Sequence, residues 1–272
     1  MNNDIGYVQS WVENQMIRGK YFFTKEDVLS YKSDISPESV KRSLRRLTTK
    51  KIIVSPWQNF YVIVPTEYKL RGKVPPEFYI NRLMQFLERE YYVSHLTAAG
   101  LNGASHQQAM VFQVVISGAA LRSGVKCGTK IQFTQKQQLP VNFIQKIKTQ
   151  SGYMNIASAE LTAMDLVADE SKVGGLSRVA EVLIELCERT SWSEDRSSLL
   201  EFFSIATIQR LGYLLELIGE IAQADALWTL AKQSSRTMRK MPLKQNLPYN
   251  ETMPMDNRWK IIVNYKLEID EI

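Results

Sequence analysis

Residues 36–64 read SPESVKRSLRRLTTKKIIVSPWQNFYVIV, and the order of signals in this stretch decides the fold. Ser36 carries a side-chain oxygen suited to capping a helix, and Pro37 stands at the first helical position, where a missing amide hydrogen removes no bond. Val40, Leu44 and Leu47 then recur at i, i+4 and i+7, one buried stripe that leaves Arg42, Arg45, Arg46 and Thr49 on the opposite face. Two β-rich runs follow at residues 52–55 and 60–64, about a turn-like connection at 56–59. Trp57, within that connection, reads equally as a wing-tip contact or as a buried hairpin residue.

Working backwards, Ile5, Val8, Trp11, Val12 and Met16 fall at helical spacing, which predicts a first helix over 5–18 ending near Gly19. Thr24 followed by Lys25, Glu26 and Asp27 predicts a capped second helix reaching Tyr31. Three short helices and a hairpin, with the third helix basic on its outer face, is the element order of a winged helix-turn-helix. Such a fold sets the start of its third helix against base edges in the major groove and its hairpin against the neighbouring backbone. The charge agrees. Residues 1–75 hold 13 Lys/Arg and 7 Asp/Glu, so 13 less 7 leaves +6, whereas the remaining residues hold 21 of each sign. Six of the eleven residues from 41 to 51 are basic and none is acidic, a pattern that points to double-stranded DNA rather than to an ordinary solvated face. The candidate contacts are Ser39 and Lys41 near the helix start, Arg42, Arg45, Arg46 and Thr49 on its outer face, and Lys50, Lys51 and Gln58 toward backbone and wing. Glu38 is an alternative acceptor for a cytosine amino group.

Working forwards, three prolines and a glycine among charged residues at 65–76 predict an extended connector and a boundary near residue 76. The expected architecture is therefore α+β: a winged helix-turn-helix domain at 1–75, then a larger mixed α/β domain at 76–272 with a small sheet packed by helices. Within the second part a helix is predicted over 78–90, strands over 110–116 and 129–134, and helices over 158–169, 175–189 and 197–233 with a break at Gly219. A late strand over 258–265 is expected to return to the sheet and hold the C-terminus.

With 272 residues, 44% hydrophobic and 23% charged, the chain has the composition of a globular protein, not of a disordered or membrane-spanning one. The first residues lack a basic start followed by an apolar run, so no secretory signal and a cytoplasmic location are expected. Two cysteines, Cys127 and Cys187, and two histidines, His95 and His106, have no ligand spacing, and no zinc site is expected. No phosphate-binding glycine loop or HExxH pair occurs. Ser94 and His95 are adjacent, and on a strand they point to opposite faces, a poor setting for a nucleophile and its base. Asp165, Asp169 and Glu170 at helical spacing beside Lys172 read as surface charge in preference to a metal site. Gly174, Gly175 and Ser177 read as an ordinary helix start in preference to an anion site. No catalytic residue, metal or cofactor is expected.

Together the winged-helix region up to residue 65, YYVSHLTAAGLNG (91–103), IASAELTAMDLVAD (156–169), GGLSRVAEVLIEL (174–186), ATIQRLGYLLELIG (206–219) and RWKIIVN (258–264) make the chain similar to the AbiEi-type antitoxins of type IV toxin-antitoxin and phage-resistance systems. That resemblance implies a non-enzymatic autorepressor whose winged helix binds inverted repeats in its own promoter as two copies. It also implies a C-terminal domain that counteracts an AbiEii-type nucleotidyltransferase toxin without a stable complex. Two other readings stand beside it: a winged-helix repressor with a ligand-sensing C-terminal domain, and a DNA-binding domain fused to a nuclease-like domain.

Overall fold

The computed structural model describes residues 3–31, 35–69, 73–104, 109–234, 236–250 and 252–268, with side chains from residue 6 onward. His106, the Ile5 side chain and residues 70–72 of the predicted connector lie outside the described residues.

The chain opens with helix α1 (Asn3–Ile17), strand β1 (Phe22–Thr24), helix α2 (Lys25–Tyr31), helix α3 (Pro37–Thr49) and the hairpin β2 (Ile53–Trp57) and β3 (Phe60–Ile63). The helix starts are fixed by the predicted side chains. Ser36 Oγ accepts the Ser39 amide at 3.2 Å, and Thr24 Oγ1 accepts the Asp27 amide at 3.1 Å while the Asp27 carboxylate accepts the Thr24 amide at 2.7 Å. The hairpin turns on two residues, Gln58 and Asn59, with Trp57 paired to Phe60 and Asn59 at φ +64°. Pro56 and Trp57, expected in the turn, belong to β2. Strand β1, not predicted, pairs antiparallel with β3, giving the order β1-β3-β2. Val8, Trp11, Val12, Phe23, Val28, Val40, Leu44 and Leu47 close one core beneath the three helices, so each predicted apolar stripe finds a partner.

Helix α4 (Thr66–Lys69) interrupts the predicted extended connector with a single turn. Helix α5 (Pro76–Phe86) follows, shorter than the predicted span because Leu87 caps it and Glu88 turns to φ +52°. Next come β4 (Tyr91–Val93), α6 (His95–Leu101), β5 (Val111–Ile116), β6 (Gly124–Lys126), β7 (Thr129–Gln135) and the hairpin β8 (Ile144–Thr149) and β9 (Gly152–Ala157). These strands form one six-stranded sheet in the order β6-β7-β5-β4-β9-β8, with β5–β7 and β4–β9 parallel and the other pairs antiparallel. Alternate β5 side chains separate two cores. Phe112, Val114 and Ile116 join α5 and the winged-helix strands through Phe60, Val62, Tyr79, Ile80 and Leu83, whereas Val115 faces the helices on the other side.

Those helices are α7 (Ala159–Ala168), α8 (Leu176–Leu186), α9 (Ile205–Leu217) and α10 (Ile221–Gln233). The predicted long helical region breaks at Gly219, φ +87°, as expected, but its first part, Glu194–Phe202, is 3-10 helix. The chain closes with β10 (Met241–Pro242), β11 (Met255–Asp256) and β12 (Ile261–Ile262). The late strand is therefore two residues long. It does not return to the main sheet but forms the centre of a separate three-stranded sheet, β10-β12-β11, held on α9 by Trp259. The local reason is Asp256, whose carboxylate accepts the Trp259 amide at 2.6 Å, followed by Lys260 at φ +58°, which together end the extended run.

Candidate nucleic-acid interface

Helix α3 presents two unlike faces because its sequence alternates at helical period. Val40, Ser43, Leu44 and Leu47 are buried against α1, α2 and β2, while Lys41, Arg42, Arg45 and Thr49 are exposed and Ser39 and Arg46 are half-buried. Glu38 is exposed in the first turn. Lys50 caps the helix end and Lys51 follows at φ +55°, both exposed. Thr49 spends its hydroxyl on the Arg45 carbonyl at 3.0 Å, which leaves the oxygen lone pairs outward. Gln58 is exposed at the tip of the β2–β3 hairpin. The structure thus gathers the predicted basic residues on one outer surface, with Arg46 the least free of them.

Of its two expected places, Trp57 takes the one within the hairpin: it ends β2 half-buried and packs against the core shared with the main sheet. Its ring packs edge-on against Phe133 of β7 at 6.4 Å, and the Lys126 ammonium of β6 lies 4.3 Å from its centroid. It ties the hairpin to the edge of the main sheet.

A second arrangement was concealed in the sequence. Ser94 and His95 do not share a strand: they sit at the β4–α6 junction, where His95 adopts φ +52°. Each then meets a different carboxylate of α7. Asp165, fully buried, accepts Tyr92 Oη at 3.0 Å and also the Ser94 hydroxyl and the Lys136 ammonium. Asp169 at the end of α7 accepts His95 Nε2 at 3.0 Å and Lys172 Nζ at 2.7 Å. Asp165 is therefore not the surface charge its spacing suggested. Burial alone would raise the Asp169 pKa, but the hydrogen bonds and charges of His95 and Lys172 win and hold it down to about 2. The Asp165 carboxylate raises the Tyr92 phenol further above the level to which burial has already pushed it. Buried Gln113 extends the cluster, accepting the Leu96 amide at 3.0 Å. The arrangement satisfies its carboxylates with internal donors, which suits a structural clasp between β4, α6 and α7.

The two thiols are chemically quiet. Burial pushes both Cys127 and Cys187 up to about 12, the latter helped by Glu220, so neither supplies a thiolate near neutral pH. Among the described residues no group of three or more His, Cys, Asp or Glu side chains is placed to hold a metal ion, and no helix is long and apolar enough to cross a membrane.

These features define a winged helix-turn-helix joined through a shared core to a mixed sheet clasped by helices. Residues 92–217 match the family described as the AbiEi antitoxin C-terminal domain. Over those residues the chain is similar to the AbiEi antitoxins, and an antitoxin or regulatory role goes with that domain. Among solved structures the chain is similar to the RV2827C protein from Mycobacterium tuberculosis, at 16% identity, with 94% of this chain and 90% of that chain covered and a TM-score of 0.67. At that identity the likeness concerns the fold alone. A comparison with curated proteins finds no match.

Proposed function

We propose that this protein is a DNA-binding transcriptional autorepressor and the antitoxin of a type IV toxin-antitoxin system. The observation that carries the DNA-binding half is the exposed basic face of α3, Arg42 and Arg45 above all, together with the exposure of Gln58 at the hairpin tip. In this reading residues 1–75 form the DNA-binding domain. Arg42, Arg45 and Arg46, with Ser39, Lys41 and Thr49, approach base edges in the major groove, and Lys50, Lys51 and Gln58 meet phosphates. Two copies occupy the halves of an inverted repeat in the protein's own promoter. Residues 76–272 form the antitoxin domain, which counteracts a nucleotidyltransferase toxin of the AbiEii kind without a stable complex, in the cytoplasm. The buried Asp165 and Glu160 carboxylates are engaged by internal donors, which favours a non-enzymatic role.

The test is binding of the full chain to the duplex immediately upstream of its own gene against a scrambled duplex of equal length, at about 150 mM salt, where non-specific phosphate contacts are weakened. Preference for the promoter duplex supports the repressor reading. Equal, weak binding to both reduces the α3 face to a charged surface. For the antitoxin half, co-expression with the neighbouring nucleotidyltransferase should restore growth, and failure to do so removes that assignment.

A further inference from the structure

The second part of the chain is electrically neutral in total, yet its charges are not evenly spread. A cleft of about 620 Å³ opens between α5 and the β8–β9 hairpin, lined by Arg82, Arg89, Lys146, Tyr153 and Asn155 with Glu90 as the acid among its lining residues. Three cations therefore face one carboxylate. The hairpin register explains why they converge. Lys146 is paired with Asn155 and Lys148 with Tyr153, and because side chains alternate along a strand these four share one hairpin face. From the opposite wall α5 contributes Arg82, whose guanidinium among the described residues donates to the Gln85 amide oxygen, at 3.1 Å, and to no carboxylate.

Lysines on β8 have an ordinary explanation, since β8 is the last strand of the sheet and charge on an edge strand opposes edge-to-edge pairing. That explanation does not extend to Arg82 and Arg89, which belong to α5 and the turn after it. Among the described residues no carboxylate forms an ion pair with Arg82, Arg89, Lys146 or Lys148, and Arg89 Nε is buried without a hydrogen-bond partner. Tyr153 is 59% exposed beside them, an aromatic ring held in water at a cationic cleft. Side-chain amides from Asn81, Gln85 and Asn155 complete the lining.

We propose that this cleft is a second nucleic-acid site, specific for single strands. Arg82, Arg89 and Lys146 of the cleft, with Lys148 outside its lining but paired to Tyr153 on the hairpin, neutralise successive phosphates, an unpaired base stacks on Tyr153, and the amide side chains meet base edges. A duplex offers no free base face for such a ring, whereas every unpaired base does. The volume suits one nucleotide and part of its neighbour, on the scale of small-ligand clefts.

The test uses the full chain and fluorescence anisotropy with labelled 12-residue oligo-U and oligo-dT, in a background carrying Arg42→Ala and Arg45→Ala so that the contribution of α3 is weakened and constant across the variants compared. In that background an Arg82→Gln, Lys146→Gln, Lys148→Gln triple variant should bind at least tenfold more weakly and with a salt slope lower by about two, at roughly 0.7 per phosphate. Tyr153→Ala should weaken binding about tenfold, and Tyr153→Phe should retain it. All four substituted side chains are exposed, and an unchanged melting temperature verifies the fold. Preference for oligo-U over oligo-dT identifies RNA as the ligand, and equal binding identifies the shared phosphate-and-base chemistry. Absence of single-strand binding, or binding unaltered in both the triple and the Tyr153→Ala variants, overturns the proposal. Binding of the promoter duplex by the protein with α3 intact should be unaffected by the cleft substitutions, which separates failure here from failure of the operator-binding reading.

Discussion

Gly212 of α9 lies directly under the indole of Trp259: a β-carbon at position 212 would stand 2.2 Å from Trp259 Cζ2. Trp259 is fully buried and packs edge-on against Trp228 at 5.1 Å. Its carbonyl accepts Gln209 Nε2 at 2.5 Å, and the adjacent Arg258 bridges Glu216 and Asp225, each at 2.7 Å. The missing side chain at 212 is what lets the C-terminal segment close onto the helices.

Gly212→Ala should accordingly destabilise the protein, even though alanine is the better helix former. The indole is walled in and cannot retreat, so overpacking by about 3 kcal/mol is expected. Urea unfolding checks this, and a midpoint at or above the wild-type value would show that Trp259 has room to move.

Replacing Arg42 and Arg45 together by alanine should lower promoter affinity by on the order of 1–3 kcal/mol for each lost base contact, with the melting temperature unchanged because both side chains are exposed. Arg46 is the poorer choice for this test, since it is half-buried and its truncation also removes packing. Normal promoter binding by the double variant would contradict the assignment of α3 as the reading helix.

Lys136→Met should be costly. It leaves the fully buried Asp165 with only the Tyr92 and Ser94 hydroxyls, and an uncompensated buried charge costs about 3–5 kcal/mol. Adding Asp165→Asn to that variant should recover part of the loss, a coupling that a double-mutant cycle measures. Strict additivity would mean that the two side chains do not interact.

Asp169 gives the protein an acid-sensitive contribution. Its folded pKa, about 2, lies below the ordinary aspartate value of 3.8, so the stabilisation is fully present above about pH 4 and is lost as pH falls through about 2. The lowered pKa corresponds to about 2 kcal/mol for a side chain that is 20% exposed. The gap in urea midpoint between wild type and Asp169→Asn should be widest near neutral pH and should narrow on acidification from pH 4 toward about 2.5. A gap independent of pH would assign the effect to shape rather than charge.

The sequence by itself determined the local elements whose signals are contiguous. Ser36, Pro37 and the Val40–Leu44–Leu47 stripe fix the start and orientation of α3, and with them which residues face outward. The charge excess of the first 75 residues, the helices of the second part and the break at Gly219 were legible for the same reason: each depends on neighbours within one or two turns. Strand β1 and the β8–β9 hairpin were not legible, because β1 is three residues long and β8, an edge strand, carries lysines where a buried strand would carry apolar side chains.

Only the tertiary structure decided the rest. Ser94 and Asp165 are separated by 71 residues, and His95 and Asp169 by 74; no periodicity connects them, and they meet because β4 and α7 pack across the same sheet. Trp57 found its partner in Phe133, and the late strand found β10 and β11 instead of the main sheet. Local sequence fixes dihedral angles and amphipathic faces, whereas which face meets which, and which buried charge is neutralised by which distant donor, is settled only when the whole chain excludes water at once.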